Sequence, residues 1–336
     1  MIKVAVVGLG DISNIHLPVI EANPNVELVA VCDSEESMRD NWIDTGTVFY
    51  ADYHEMLAKE SLDCVHVCLP HHLHYLATKA CVEKGVHVFQ EKPLDKDLEN
   101  SIKLVQLEES NKDVKICMSF QNRFNETFVK LQELVESGKY GNVTGLKGLV
   151  TWYRPKSYYA EKPWRGKMEK AGGGVMINQS IHTLDLMQLI GGRIEKIRGS
   201  IDKLLDYDIE VEDTATANIQ FANGARGLFF ATITNASNSS VELQILLEKG
   251  KFTIKDSVLT AINHLGQKEQ IIEDSKLSGS KFYYGASHSK LINHFYRCIE
   301  NDTDDYIHVR DGLPAMQMID AICNSSKIKQ EIMMEV

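Results

Sequence analysis

The first 120 residues alternate between short apolar runs and amphipathic stretches, and this alternation constrains the fold more than any other feature. The apolar runs are continuous rather than interleaved with polar residues, which is typical of strands buried on both faces of a sheet. Amphipathic stretches such as Leu73–Lys84 and Asp97–Ser110 separate them, so βαβ units and a parallel sheet are predicted. The predicted strands are Ile2–Val7, Val26–Cys32, Cys64–Leu69, Val86–Gln90 and Val114–Phe120.

The pattern changes after this region, which predicts one domain over residues 1–121 and a second over 122–336. A helix is predicted over Glu126–Ser137, and another opens at Gly172–Gly174. Alternating runs joined by short turns then predict an antiparallel sheet between about residues 194 and 272. Its clearest strands and the two closing helices are Thr214–Phe221, Ala225–Thr234, Val241–Leu247, Ser287–Glu300 and Leu313–Ile328.

Charge and composition exclude several classes of protein. The net charge of −11 disfavours nucleic acid as a direct partner, because binding a duplex needs a cationic surface. No apolar run reaches the roughly 18 residues that a membrane span requires. The first apolar run stops at Gly8, too early for a signal peptide, so a cytoplasmic protein is expected. The seven cysteines include no CxxC pair, which favours reduced thiols over disulfides or zinc.

The first predicted strand runs directly into a glycine turn, Gly8 to Ser13. Gly8 allows the tight turn, and Gly10 lets a pyrophosphate approach the backbone at the start of the next helix. Ser13 replaces the usual third glycine but is small enough for close packing. Because a strand precedes the turn and a helix follows it, a dinucleotide site is predicted, contacted by Gly8, Gly10, Asp11 and Ile12.

Asp33 ends the second strand, 23 residues after Gly10. A carboxylate there accepts the ribose hydroxyls of an adenosine and repels a 2′-phosphate, which favours NAD over NADP. Arg39 lies a few residues further on and partly offsets that preference, so NADP stays possible.

The segment that ends the third of these predicted strands is expected near the nicotinamide, because ligands bind beyond the carboxyl ends of parallel strands. The candidate cofactor residues here are Leu69, Pro70, His71 and His74. His71, His72 and His74 are too closely spaced at a helix start to direct three rings at one metal ion, so no metal site is predicted.

Two segments offer groups for proton transfer. Glu91-Lys92-Pro93 directly follows a strand, where a partly desolvated lysine beside a cationic nicotinamide serves as a base. An isolated lysine at a strand end is also a common surface residue. In the second segment, Asn178, His182 and Asp185 share one face of a regular helix, and Asp185 can hold the ring of His182. Such a His–Asp pair also has a purely structural interpretation.

These segments resemble the Gfo/Idh/MocA oxidoreductases, the family of glucose–fructose oxidoreductase and inositol dehydrogenase. The similarity covers almost the whole chain, and the EKP segment together with the GGG…H..D segment is its most specific part. The segments that carry it are GLGDIS, VHVCLPHHLH, HVFQEKPL, QNRFN, WRG, GGGVMINQSIHTLDL, HSKLINHFYRCIE and DGLPAMQMIDAICNSS.

The resemblance implies an α/β fold, with an N-terminal Rossmann domain and a C-terminal domain built on a large, open, mostly antiparallel sheet. It implies dimers or tetramers formed through that sheet. Lys92 corresponds to the family's active-site lysine and His182 to its histidine acid/base. Asn178 stands where many members have aspartate; since an amide does not titrate, it is assigned to orienting the substrate.

The predicted function is hydride transfer between NAD(P) and a hydroxyl or ketone of a sugar, cyclitol or sugar derivative. Three alternatives stay open: an NADPH-preferring keto-sugar reductase, an NAD-dependent glycosidase of the same fold, and a non-catalytic dinucleotide sensor. Glu91 and Lys92 are also assigned to the cofactor site. The predicted substrate contacts are Arg123, Trp164, Arg165, Asn178, His182 and Tyr284; Arg123 and Tyr284 also suit a supporting role at a domain interface.

Overall fold

The computed structural model describes residues 1–43, 45–275 and 286–334, which form two compact units. The first unit comprises Met1–Gln121 and Ser287–Leu313, and the second comprises Asn122–Ala286 and Pro314–Val336. One division between the two units falls after Gln121, and Ser287–Leu313 pack with the first unit. The domain bounds 1–121 and 122–336 stay a prediction.

The core of the first unit is a parallel six-stranded sheet with the strand order β3-β2-β1-β4-β5-β6. Most residues of these strands are apolar and buried, as predicted from their continuous hydrophobicity, while Lys3, Glu27 and Val48 are exposed. The third strand was not predicted, because three residues are too few to show a pattern. The strands are β1 (Ile2–Val7), β2 (Val26–Cys32), β3 (Val48–Tyr50), β4 (Cys64–Val67), β5 (His87–Gln90) and β6 (Ile116–Met118).

Helices connect these parallel strands. Asp52 and Asp97 cap two of them, each accepting a backbone N–H of the first turn, which satisfies a donor that has no intrahelical partner. The α-helices are α1 (Ser13–Glu21), α2 (Tyr53–Lys59), α3 (His74–Val82) and α4 (Leu98–Ser110), and the 3₁₀ segments are Glu36–Trp42 and His71–Leu73.

The second unit contains a nine-stranded sheet. Its order is β14-β13-β12-β11-β7-β10-β9-β8-β15, and all pairs are antiparallel except β7 with β10. The large, mostly antiparallel sheet is therefore confirmed. Its strands are β7 (Val143–Thr151), β8 (Ile194–Asp202), β9 (Thr214–Phe221), β10 (Arg226–Thr232), β11 (Glu242–Leu247), β12 (Gly250–Lys255), β13 (Val258–Asn263), β14 (Lys268–Glu273) and β15 (Ile332–Met333).

The remaining α-helices, in chain order, are α5 (Glu126–Glu136), α6 (Lys156–Glu161), α7 (Met168–Ala171), α8 (Ile181–Gly191), α9 (Ser287–Glu300) and α10 (Val309–Ile328). Short 3₁₀ segments span Gln121–Phe124 and Pro163–Gly166, and a π-helical segment spans Met176–Ser180. The strongly amphipathic α9 packs its apolar face against α1 and β5, which explains why residues 287–313 join the first unit.

Helix α10 begins four residues before the predicted start at Leu313. The backbone N–H of His308 donates to the carboxylate of Asp311 at 2.8 Å, a capping arrangement that sets the start of the helix.

Within the described residues, no helix is long and apolar enough to cross a membrane. All seven cysteines are free thiols, and only Cys323 is not fully buried.

Candidate active site

The glycine turn after β1 has the geometry that its sequence requires. Gly8 has a φ of +93°, and a Cβ there would lie 2.5 Å from the carbonyl oxygen of Cys68. A Cβ on Gly10 would meet nothing within 4 Å, so its backbone faces open space. The hydroxyl of buried Ser13 donates to the carbonyl of Gly10 at 2.7 Å, which accounts for serine at the position of the third glycine.

Asp33 lies beside this turn at the end of β2. One of its carboxylate oxygens accepts the backbone N–H of Leu9 at 2.8 Å, and the other accepts the N–H of Glu35 at 3.0 Å. The carbonyl of Ile12 begins α1 by accepting from Ile15 and His16. An open glycine backbone, a helix start and a carboxylate thus lie together at one sheet edge, and they fit a dinucleotide.

The segments that follow β4 and β5 are joined by His74. Its ring nitrogens lie 2.7 Å from the carbonyl oxygens of Leu69 and Pro93, and the ring is fully buried. Burial lowers the pKa of His74, although the two carbonyls favour the protonated ring. Since both nitrogens face backbone, this geometry assigns His74 to holding the two segments rather than to contacting a cofactor.

No group of three or more metal-ligating side chains is arranged to hold an ion in the part of the chain that the structure describes. The rings of His71 and His74 have centroids 5.9 Å apart, while both nitrogens of His74 face backbone carbonyls.

Lys92 follows β5 at the same carboxyl edge of the parallel sheet. The backbone N–H of Glu91 donates to the carbonyl of Val67 at 3.0 Å, which extends the pairing of β4 and β5 up to the lysine. The peptide bond between Lys92 and Pro93 is cis. The Lys92 side chain is half-buried, whereas Glu91 is buried.

The second unit contains the other predicted group, and its glycine triplet allows a close approach between two segments. Gly172 ends α7 with a φ of +75°. A Cβ on Gly174 would lie 1.9 Å from the carbonyl oxygen of Glu212. The buried carboxylate of Glu212 accepts the backbone N–H of Gly174 at 2.8 Å and that of Met176 at 3.1 Å. Burial raises the pKa of Glu212, and these hydrogen bonds oppose the rise.

Asn178 lies within the π-helical segment, and the hydroxyl of Ser180 donates to the carbonyl of Val175, five residues earlier. The prediction that Asn178, His182 and Asp185 share one face assumed a regular α-helix, and the π turn changes the angular spacing between Asn178 and the other two. π-helical turns are frequent at functional sites. Asn178 and His182 are half-buried, whereas Asp185 is 2% exposed.

Asp185 is held by Arg123. The Arg123 Nε and Nη2 donate to the two carboxylate oxygens at 2.9 and 2.5 Å. The side chains are 12% and 2% exposed, so the pair is largely removed from water. The sequence predicts Asp185 as a partner of His182, and Arg123 as a substrate contact or a supporting residue. The bidentate pair supplies a positioning role for both.

Close packing fixes α8 on the sheet. A Cβ on Gly148 of β7 would lie 2.5 Å from the sulfur of Met187 and 2.8 Å from Cγ2 of Thr183. The helix that contains His182 therefore contacts β7 where the strand has no side chain.

A cluster of arginine and aromatic side chains surrounds the predicted contacts Trp164 and Arg165. The Arg165 guanidinium lies 4.1 Å from the ring centroid of Tyr158 and 5.9 Å from that of Trp164. Arg154 lies 4.8 Å from the ring of Trp152. We call Trp152, Arg154, Tyr158, Trp164 and Arg165 the aromatic–arginine cluster. Trp152, Arg154 and Tyr158 were not among the predicted substrate contacts, although their residue types and their closeness in sequence to Trp164 and Arg165 could have indicated them.

Gln179 links this cluster to the π-helical segment. Its amide nitrogen donates to the hydroxyl of Tyr158 at 3.2 Å, and it directly follows Asn178. The remaining predicted contact, Tyr284, lies outside the described residues.

The fold and these groups define a class: an oxidoreductase with an NAD-binding Rossmann domain and a second domain built on a mixed sheet. Comparison with known families agrees. Residues 2–119 match the model of the oxidoreductase family with an NAD-binding Rossmann fold. Residues 128–253 match that of the GFO/IDH/MocA C-terminal domain. The chain belongs to the GFO/IDH/MocA family.

Individual relatives are similar over nearly their whole length. The chain is 24% identical to the myo-inositol 2-dehydrogenase of Thermotoga maritima, covering 99% of this chain and 98% of the relative. It is 24% identical to the scyllo-inositol 2-dehydrogenase (NAD(+)) of Bacillus subtilis, covering 94% and 93%. Among solved structures, the WlbA dehydrogenase of Bordetella pertussis in complex with NADH and UDP-GlcNAcA superposes with a TM-score of 0.86 and 26% identity, covering 100% and 99%.

Proposed function

We propose that this oxidoreductase transfers a hydride between NAD and a ring hydroxyl or ketone of a sugar derivative, with Lys92 and His182 handling the proton. The observation that carries the proposal is the position of Lys92. It follows β5 at the carboxyl edge of the sheet, the edge at which the glycine turn and Asp33 also lie. In an open parallel sheet, ligands bind at that edge.

NAD, when bound, supplies the hydride acceptor. In the oxidative direction, the neutral amine of Lys92 takes the hydroxyl proton, and the ammonium group that forms stabilises the negative charge developing on the substrate oxygen. His182 serves as the second proton-transfer group, and Asn178 orients the substrate through its neutral amide. Asp185 and Arg123 act indirectly, since their ion pair fixes the helix that contains His182.

The aromatic–arginine cluster favours a narrower substrate class: a sugar that bears an anionic group, such as a sugar acid or a nucleotide-linked sugar. Aromatic rings stack against the apolar face of a sugar ring, and guanidinium groups bind carboxylate or phosphate. Two guanidinium groups and three rings lie together here, next to the segment that contains Asn178. The solved relative that contains UDP-GlcNAcA supports this choice.

The remaining proposals concern assembly and cofactor preference. We propose a cytoplasmic homodimer or homotetramer formed through the open face of the nine-stranded sheet, because Leu228 and Leu246 are 47% and 42% exposed there. Size-exclusion chromatography with light scattering tests this, and a monomer would contradict it. Asp33 favours NAD, and Asp33→Ser should raise the ratio of NADP to NAD activity at least tenfold.

The experiment for the main proposal follows nicotinamide reduction with NAD, and separately NADP, against neutral aldoses, inositols, sugar acids and sugar nucleotides. We expect turnover with a sugar derivative, faster for anionic members, and loss of that preference in Arg165→Gln. Turnover confined to neutral cyclitols would contradict the anionic class. Release of free sugar without net cofactor change would favour the glycosidase, and binding without any turnover would favour the sensor.

A further inference from the structure

A line of buried polar side chains crosses the interior of the first unit, and it ends at Glu91, the residue before Lys92. Nε2 of His16 lies 3.0 Å from a carboxylate oxygen of Glu91, and Nδ1 of His16 lies 2.8 Å from Nδ1 of His66. Nε2 of His66 lies 2.7 Å from the hydroxyl of Tyr296. We call these four residues the histidine chain. None of them is more than 3% exposed.

Hydrogen-bond directions restrict the charge of this chain. The Glu91 carboxylate only accepts, so Nε2 of His16 must donate to it. The contact between two Nδ1 atoms needs one proton, which belongs to either ring. If His16 is the donor it is a cation, and His66 is neutral with its remaining proton directed at Tyr296.

The surroundings favour that state. Burial disfavours a charged ring, but the sulfur of Cys68, 3.7 Å away, and the carboxylate of Glu91 raise the pKa of His16 to about 10. Burial and the charge of His16 hold the pKa of His66 well below its usual range. Burial would raise the pKa of Glu91, but its hydrogen bond with His16 and the charge of that ring keep it well below the usual range. In that state, His16 and Glu91 form a buried ion pair at 3.0 Å.

Lys92 is the next residue after Glu91, and the two are electrostatically coupled: the lysine contributes to the low pKa of Glu91. An unpaired buried carboxylate beside a lysine would stabilise its ammonium form and weaken it as a base. We propose that His16 is a positioning residue for Lys92, since its cation neutralises Glu91 and so keeps that carboxylate from stabilising the ammonium form of the lysine. This inference rests on the proposed function, in which Lys92 transfers the proton.

Groups from three other elements face His16. His66 and Cys68 lie at the end of β4, and Glu91 follows β5. His288 belongs to α9, and its ring centroid lies 6.3 Å from that of His16. Burial lowers the pKa of His288 to about 4, so it is neutral at physiological pH. Among the described groups, the acidic neighbours of His16 are therefore the Cys68 thiol and the Glu91 carboxyl group, and Lys92 lies beyond Glu91.

The test compares His16→Gln, Glu91→Gln and the double variant with the wild type. In His16→Gln the carboxylate loses its counter-charge, so the acidic limb of the rate–pH profile should move to higher pH by about one unit. Glu91→Gln should not move it upward, and the double variant should return to within a few tenths of a unit of the wild type. An unchanged profile in His16→Gln, or no return in the double variant, would overturn the proposal.

A second readout separates this inference from the proposed function. The rate at which Lys92 is reductively methylated by formaldehyde and cyanoborohydride, followed across pH by mass spectrometry, reports its free amine without any turnover. The methylation midpoint should shift in His16→Gln as the rate profile does. If Lys92→Met kept full activity, the proposed function would fail, while the methylation shift would still decide whether His16 controls the lysine.

Tyr296→Phe is the matched control. It removes the hydrogen bond at the far end of the histidine chain and changes no charge. Its two midpoints should equal those of the wild type even if its stability falls. A shift of the two midpoints as large as that of His16→Gln would show that packing rather than charge controls the protonation of Lys92, and would overturn the proposal. If His16→Gln does not fold, the double variant and Glu91→Gln still give the comparison, since an alkaline shift in either contradicts it.

Discussion

Glu212 and Gly174 are in contact through both backbone and side chain: the Glu212 carboxylate accepts the Gly174 N–H at 2.8 Å, and a Cβ on Gly174 would lie 1.9 Å from the Glu212 carbonyl oxygen. The same carboxylate accepts the N–H of Met176 at 3.1 Å. The start of the segment that contains Asn178 and His182 is thus fixed by a residue more than 30 positions later in the chain.

Replacing Glu212 with glutamine should lower the free energy of unfolding by about 2 kcal/mol, because only one amide oxygen remains for two buried N–H donors. Turnover should fall as well, since Asn178 and His182 follow directly. Urea denaturation and kcat measure the two effects. Glu210→Gln is the control, because Glu210 is at the surface and its partners are Lys167 and the Met168 backbone. Equal behaviour of the two variants would contradict the assigned role.

Replacing either glycine of the first turn with alanine should impair a different property of the protein. Gly8→Ala should destabilise the protein, because its Cβ would lie 2.5 Å from the Cys68 carbonyl and its φ is +93°. Gly10→Ala has space for its Cβ and should change stability little, but it should weaken NAD binding at least tenfold by blocking the pyrophosphate. Thermal denaturation and NAD titration by calorimetry separate the two. Unchanged NAD affinity in Gly10→Ala would place the cofactor elsewhere.

Removing Arg123 should leave the buried Asp185 carboxylate without its bidentate partner. Arg123→Leu should cost about 3 kcal/mol of stability. Arg123→Lys should cost less, because it keeps the charge but loses the two-pronged geometry. Chemical denaturation of both variants measures the order of the effects. If neither variant is less stable than the wild type, the ion pair does not hold α8 in place.

The buried ion pair of His16 and Glu91 should make the stability of the protein fall at alkaline pH. The pKa of His16 rises from 6.5 to about 10 on folding, so its stabilising contribution is complete below pH 6.5 and is lost as pH rises through 10. The free energy of unfolding of the wild type should therefore fall with pH in this window, about 1 kcal/mol per unit more steeply than that of the His16→Gln/Glu91→Gln double variant. Parallel slopes would show that His16 is neutral in the folded protein.

Much of the fold follows from local sequence pattern. The continuous apolar runs predicted β1 and β2 at their observed bounds, and the alternating run at Thr214–Phe221 predicted β9. Two features of the fold do not follow from local pattern. β3 is too short to have a pattern. The sequence of α9 is that of an amphipathic helix, but it does not indicate that the helix packs on the first unit.

In the candidate site, too, some features follow from local sequence and others depend on contacts between distant segments. The turn residues and Asp33 were predicted to cooperate, and the structure places them together, because the βαβ unit fixes their separation. The π turn at Met176–Ser180 and the hydrogen bonds of Glu212 depend on packing between distant segments. The assignments of Lys92, His182 and Asn178 stay predictions.

Single-turnover hydride transfer decides whether Lys92 and His182 are catalytic, when its rate is compared among wild type, Lys92→Met and His182→Ala with NAD affinity measured on the same samples. We expect rates lowered about 100-fold or more in both variants, with NAD affinity within about threefold of the wild type. Rates equal to the wild type, or losses that only follow weaker NAD binding, would contradict it.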